Sequence, residues 1–209
     1  MTQGGNRIQA SYTSISWIPS EAIVGLARVP FDLGIGHYDE PPPDVVDDIE
    51  TLYEAGGFRF ANRLRAWIHV ADGEIVAHGH SGHGYINRTL LRFAGVPVTF
   101  QPTAFPELRP PPAVDAGSVR FVQTTGGRAG VPAPRRVRDS PFFQWVGPTV
   151  WTTLSLTVNA DGTSSSEMIG ASTFPRHWLY DDSGQLVAKS GMVDFESWYR
   201  GSFGSHSPW

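Results

Sequence analysis

The sequence predicts an all-β protein with minor helix, its antiparallel strands meandering and closing into a barrel around a pocket. Three observations predict it. Segments 65–78 and 176–189 share one pattern at a constant offset of 111 residues: RAWIHVADGEIVAH lies over RHWLYDDSGQLVAK. Both copies read as β-hairpins. Alternating apolar and polar residues recur elsewhere, as in Val150 to Val158, and favour further half-buried strands. Finally, 23 Gly and 17 Pro supply turns, while 7 Trp, 12 Phe and 6 Tyr make the apolar fraction rich in residues that suit strands.

Along the chain, residues 1–57 read as an N-terminal arm, loop and helix packing on the barrel, and 58–209 as the barrel core with its hairpins at 65–78 and 176–189. Ser14 to Ile18 suits a strand that stops at Pro19, and Ser20-Glu21 opens a short helical piece to Leu26. Pro30 to Pro43 is a loop, broken by Gly34, Gly36 and three consecutive prolines. Asp44 to Ala55 reads as the one long helix, with Val45, Ile49 and Leu52 on one face and Gly56-Gly57 at its end. Asn87 to Ala94 suits a helical turn and Val96 to Phe100 a strand. Val119 to Thr124 is β-branched and strand-like, whereas Thr124 to Pro134 reads as a long flexible loop leading to Arg135, Arg136 and Arg138. The aromatic end, Phe195 to Trp209, is expected to pack as a closing arm.

In the first hairpin, Asp72-Gly73 predicts a two-residue type I′ turn, because both positions tolerate positive φ. Counting outward from it pairs Val70 with Ile75, His69 with Val76 and Trp67 with His78. Leu64, Ala66, Ile68, Val70, Ile75 and Ala77 then face the core, and Arg65, Trp67, His69, Val76, His78 and His80 share the opposite surface.

The general shape expected is lipocalin-like. The alternative is a duplicated hot-dog-like α+β fold, because a helix followed by strands ending in a DG-x-[IL]-V-A hairpin resembles the closing hairpin of thioesterase and dehydratase hot-dog domains. That resemblance covers about fourteen residues in each copy, and no long helix precedes the second.

Composition removes several functions. Without cysteine there are no disulfides, thiolate metal sites or cysteine nucleophiles. A net charge of -4 argues against nucleic acid as a partner, and no apolar run reaches the length of a membrane span. A cytoplasmic protein with neither a membrane nor a nucleic-acid partner is expected; a homodimer is compatible with this reading.

His78-Gly-His80-Ser-Gly-His83 is the strongest chemical signal, with three of the seven histidines in six positions. Imidazole serves acid-base chemistry near neutral pH and ligates metals. Strand parity selects His69, His78 and His80 as the catalytic candidates. Arg65 and Trp67, with Arg176 and Trp178 from the second copy and Tyr38 from the loop, are the substrate-binding candidates. The same three histidines would be the ligands of any metal, and their HxH spacing resembles the first motif of cupins, although the glutamate and second histidine motif of that family are absent. No cofactor is expected. His37-Tyr38-Asp39-Glu40 groups a base, a phenol and two acids in one loop and is a secondary candidate.

Taken together, these residues predict a cofactor-independent isomerase, lyase or hydrolase acting on a small organic molecule through histidine acid-base chemistry with arginine assistance. A non-catalytic binding or carrier protein for a small apolar ligand is the alternative, and a metal-dependent histidine enzyme a third.

Overall fold

The computed structural model describes residues 6–136, 138–202 and 208–209. Its strands are β1 (Asn6–Trp17), β2 (Phe60–Ala71), β3 (Glu74–Ile86), β4 (Thr89–Phe93), β5 (Val96–Phe100), β6 (Thr103–Ala104), β7 (Ala113–Asp115), β8 (Ser118–Arg128), β9 (Ala133–Arg136), β10 (Phe143–Val146), β11 (Thr149–Asn159), β12 (Ser164–Ala171), β13 (Arg176–Tyr180) and β14 (Leu186–Lys189). Helix is confined to short pieces: α1 (Val29–Asp32), α2 (Ile49–Glu54), α3 (Phe195–Gly201) and two single 3-10 turns at 20–22 and 25–28. None is long and apolar enough to cross a membrane.

The protein is mostly β and its pairings are antiparallel. One sheet runs β14-β13-β1-β2-β3, a second runs β12-β11-β8-β6 with β7 also on β8, and β4-β5 and β9-β10 are separate ribbons. The expected antiparallel β class is present; no sheet closes on itself among the described residues, and the two main sheets pack by their faces. Leu64, Ala66 and Ile68 of β2 meet Phe121 of β8 and Leu154, Leu156 and Val158 of β11 in the main core cluster. Burying two apolar faces against each other removes them from water without requiring closure. β1 lies between β13 and β2, so the first 57 residues supply a central strand as well as a loop and helix.

A polar layer crosses this interface. Asn62, Gln123, Thr152 and Ser14 are each fully buried. The Gln123 amide nitrogen donates to Asn62 Oδ1 at 2.8 Å, the Asn62 amide donates to the Thr152 carbonyl at 3.0 Å, and the Ser14 and Thr152 hydroxyls are 2.8 Å apart. These groups bond one another across the interface, with only Gln123 Oε1 left without a partner, and they specify how the sheets align, because a slip would strand the rest as well.

Several local expectations change in three dimensions. The helix at 44–55 shrinks to α2, capped by Asp48, whose carboxylate accepts from the Glu50 backbone N–H at 3.1 Å. Val45 instead forms a β-bridge to Gln185. The helical turn expected at Asn87 to Ala94 is strand β4, which returns through Ala94-Gly95, both at positive φ, into β5. Nor is Gly126-Gly127-Arg128 a loop. It continues β8, where a Cβ on Gly126 would approach the Val150 carbonyl within 2.6 Å, so glycine permits the close pairing. The closing arm is partly helical, as α3; residues 203–207 of it lie outside the described residues.

The Asp72-Gly73 turn forms as expected, with φ of 54° and 83° and Ala71 opposite Glu74. Beyond Val70-Ile75, however, a β-bulge leaves Val76 without a partner, so His69 pairs with Ala77, Ile68 with His78 and Ala66 with His80. The second hairpin behaves alike: Tyr180 pairs with Leu186 and Leu179 with Ala188, leaving Val187 out. Both skipped valines are exposed. The glycines of the histidine segment have packing reasons of their own. Trp67 lies over Gly79, whose Cβ would come within 2.8 Å of its ring, and Gly82, at φ 114°, would drive a Cβ into the Arg63 carbonyl oxygen. Gly82→Ala is therefore expected to cost at least ~2 kcal/mol, measured by urea unfolding, from left-handed strain plus that collision.

Candidate ligand-binding site

The β3 bulge separates the predicted histidine triad. His78 and His80 lie opposite Ile68 and Ala66 on the inner face of the sheet, with ring centroids 6.0 and 5.3 Å from that of Phe121. His69 lies on the other face, where its ring packs 5.6 Å from Trp67. One skipped residue turns every later side chain to the opposite surface. The shared-face expectation is thus corrected, and His69, His78 and His80 cannot converge on one ion. No group of three or more histidine, aspartate or glutamate side chains is arranged to hold a metal among the described residues. His80 has its imidazole held below the ordinary value by desolvation, then by the Arg109 and His78 charges.

The arginine and tryptophan candidates also disperse. Arg65 is exposed on the outer face, and Trp67 carries the Arg7 guanidinium 4.7 Å above its ring. Trp178 is buried edge-on against Trp17 at 5.3 Å, with Lys189 4.1 Å from its ring centroid. Arg176 lies opposite Trp17 and is half-buried. None of these borders the most apolar cavity.

That cavity, of about 400 Å³, forms between the α1 region, β4, residues 129–131 and α3. Local sequence explains its walls. In α3 the i, i+3, i+4 spacing of Phe195, Trp198 and Tyr199 puts three aromatic rings on one side of a short helix capped by Asp194, which accepts from the Ser197 N–H at 2.8 Å. The Trp198 indole N–H donates to the Thr149 carbonyl at 3.0 Å and the Tyr199 hydroxyl to Val131 at 3.0 Å, which fixes the helix across the end of the second sheet. Phe174 meets Trp198 edge-on at 4.7 Å, and Phe31 meets Phe195 at 5.7 Å. Tyr38 stacks on the lining residue Phe31 at 5.2 Å and donates to Asp32 at 3.2 Å, but it does not itself line the cavity, nor do the other residues expected to bind substrate.

Polar groups enter the cavity at one wall, where His37 and Arg59 line it and Asp39 holds Arg59 in place. Arg59 is 7% exposed, and one of its terminal nitrogens is 2.8 Å from an Asp39 oxygen while Nε donates to the other at 3.0 Å. Asp39 also accepts from the Ile18 N–H at 2.8 Å, and its own N–H donates to the Ile18 carbonyl at 3.0 Å, so the loop is zipped onto the end of β1. A terminal nitrogen of Arg59 further donates to His37 Nε2 at 3.1 Å and to the His37 carbonyl at 3.2 Å. Because guanidinium only donates, Nε2 is the acceptor and Nδ1 carries the proton of a neutral ring. Desolvation and then the Arg59 charge lower the His37 pKa, opposed by Asp39. His37, Arg59 and Leu90 also border a more polar cleft of about 470 Å³ that contains Asn87 and Gln101. The His37-Arg59 pair therefore stands between an apolar cavity and a polar cleft.

Compared with known protein families and with curated proteins, the chain finds no match. Sequence reasoning had singled out His37, Tyr38 and Asp39 only as a secondary group and had missed Arg59 and Trp198. The spacing of the three α3 aromatics was a legible signal of a one-sided helix; nothing local marked Arg59 as the partner of Asp39.

Proposed function

We propose that this protein binds a small, uncharged and mainly apolar organic molecule in the 400 Å³ cavity, with the ligand's polar end at His37 and Arg59. The carrying observation is the division of the cavity: aromatic and aliphatic side chains surround most of it, and hydrogen-bonding groups are gathered at one wall. Apolar enclosure supplies affinity, and a few convergent polar groups orient the ligand. An uncharged polar end fits because Asp39 already compensates Arg59. A carboxylate would have to surrender its water to meet a cation that is already paired. The rings of Phe31, Phe195 and Trp198 favour a ligand with a flat face.

The neutral fluorescent polycycle 1-aminoanthracene tests this. It is expected to bind saturably, one per chain, and Leu91→Trp, which fills the cavity from β4, is expected to weaken binding at least ten-fold while leaving the unfolding transition in place. Undiminished binding by Leu91→Trp would reject the cavity as the site.

A catalytic reading moves to the same wall. The 3.1 Å contact between Arg59 and His37 Nε2 favours it, since a substrate oxygen that takes the Arg59 N–H from His37 would be polarised by the cation and would free Nε2 to accept that substrate's proton. Turnover lost in His37→Gln with binding of the substrate retained would distinguish an enzyme from a carrier.

A further inference from the structure

The β9–β10 ribbon stands apart from both main sheets, its two strands paired with each other. It concentrates exposed aromatic and basic side chains. Trp145 is 73% exposed, Phe142 58% and Phe143 52%, and Arg135, Arg136 and Arg138 are exposed beside them. Register places Arg136 opposite Phe143 and Pro134 opposite Trp145, so these four share one face of the ribbon, with the Arg136 guanidinium 5.7 Å from the Phe143 ring centroid. Leaving large rings in water is unfavourable unless something covers them. Three cations in one ribbon also run against a chain whose net charge is -4.

We propose that this ribbon docks the protein on an anionic lipid bilayer, its aromatic rings entering the interfacial zone with Arg136 facing lipid phosphates and carboxylates, and Arg135 and Arg138 adding positive charge nearby. Trp and Phe partition to the depth of the headgroups, and arginine adds charge attraction together with hydrogen bonds to phosphate. No membrane-spanning segment is needed for such attachment. A nucleic acid would also attract arginine and stack on aromatic rings. The bilayer is favoured because exposed Phe143, Trp145 and Pro134 give one ribbon face an apolar surface around a single arginine, the composition of an interfacial anchor. The ribbon is rooted at the cavity, since β9 begins two residues after Val131. Docking is independent of what the cavity holds.

Flotation of the whole protein with vesicles of phosphatidylcholine alone, or with about one third phosphatidylserine, tests the proposal. Binding is expected to the anionic vesicles and to fall as salt rises. Arg136→Glu is expected to weaken it at least five-fold, the loss of one interfacial arginine, whereas Arg88→Glu, with the same change in net charge, leaves it unchanged. A Phe143→Ser, Trp145→Ser double variant is expected to abolish flotation while its unfolding transition stays at the wild-type position, because both side chains are exposed. Leu91→Trp is expected to float like the wild type, so failure of the cavity reading and failure of this one are distinguishable. No flotation with anionic vesicles, equal flotation with neutral ones, equal loss in Arg88→Glu, or an oligonucleotide that binds the ribbon and competes the protein off the vesicles would overturn it.

Discussion

Asp39→Ala is expected to destabilise the protein by about 3–5 kcal/mol, the cost of leaving one member of a buried ion pair without its partner. Arg59 is 7% exposed and the Asp39 side chain 3%, so water cannot replace the lost carboxylate. Two further contacts depend on the same carboxylate. Ile18 loses the acceptor of its N–H, which leaves the 37–39 loop tied to the end of β1 by one backbone bond, and the guanidinium that holds His37 is left to reorient. Urea unfolding followed by tryptophan fluorescence measures the loss, and 1-aminoanthracene binding should weaken with it because the polar wall is undone. Replacing both partners by apolar residues, Asp39→Leu with Arg59→Met, is expected to recover much of the stability without the binding. A loss below about 1 kcal/mol in Asp39→Ala would show that water reaches Arg59 after all.

Stability is expected to fall as pH drops from 6.5 towards 4, chiefly through His177. This residue is 3% exposed, and burial pushes its imidazole down to about 4 from the ordinary 6.5, partly offset by the Ser172 carbonyl. Nε2 lies 3.1 Å from that carbonyl and so carries the hydrogen, while Nδ1 accepts from the Ser16 hydroxyl at 2.7 Å. The native ring is therefore neutral in a window where the unfolded ring is protonated. Because the unfolded chain binds the extra proton there, stability is fully present above about 6.5 and is lost as pH falls towards 4, by up to ~3 kcal/mol. His37 and His80, both lowered, act in the same direction. Unfolding free energies at closely spaced pH values measure the slope. His177→Phe is expected to remove most of it, at the cost of an unpaired Ser16 hydroxyl, and an unchanged slope in that variant would assign the effect elsewhere.

Much of the β architecture was legible because strand periodicity is a local property. The alternation in β2 correctly separated Leu64, Ala66 and Ile68 from Arg65 and Trp67, and that in β11 separated Leu154, Leu156 and Val158 from their neighbours. β4 is not legible in its own residues because TLLRF carries no decisive period, and the positive-φ turn at Ala94-Gly95 is only half announced by its glycine. Gly126-Gly127 reads as a loop since glycine disfavours strands in isolation. Its place in β8 follows from backbone that approaches too closely for any Cβ.

The site divides along the same line. The hairpin turn at Asp72-Gly73, the inward face of β2, the absence of cysteine chemistry and the grouping of His37, Tyr38 and Asp39 in one loop are legible in the chain, each being a matter of residue type or spacing within a few positions. Only the tertiary structure decided that Val76 bulges out and sends His78 and His80 away from His69. It also decided that Arg59, twenty residues on, neutralises Asp39 and bonds His37 at one wall of an apolar cavity. The physical reason is common to both: a bulge and a buried ion pair are chosen by what packs against them, because skipping one residue or desolvating two charges is favourable only when a second layer of the protein repays it.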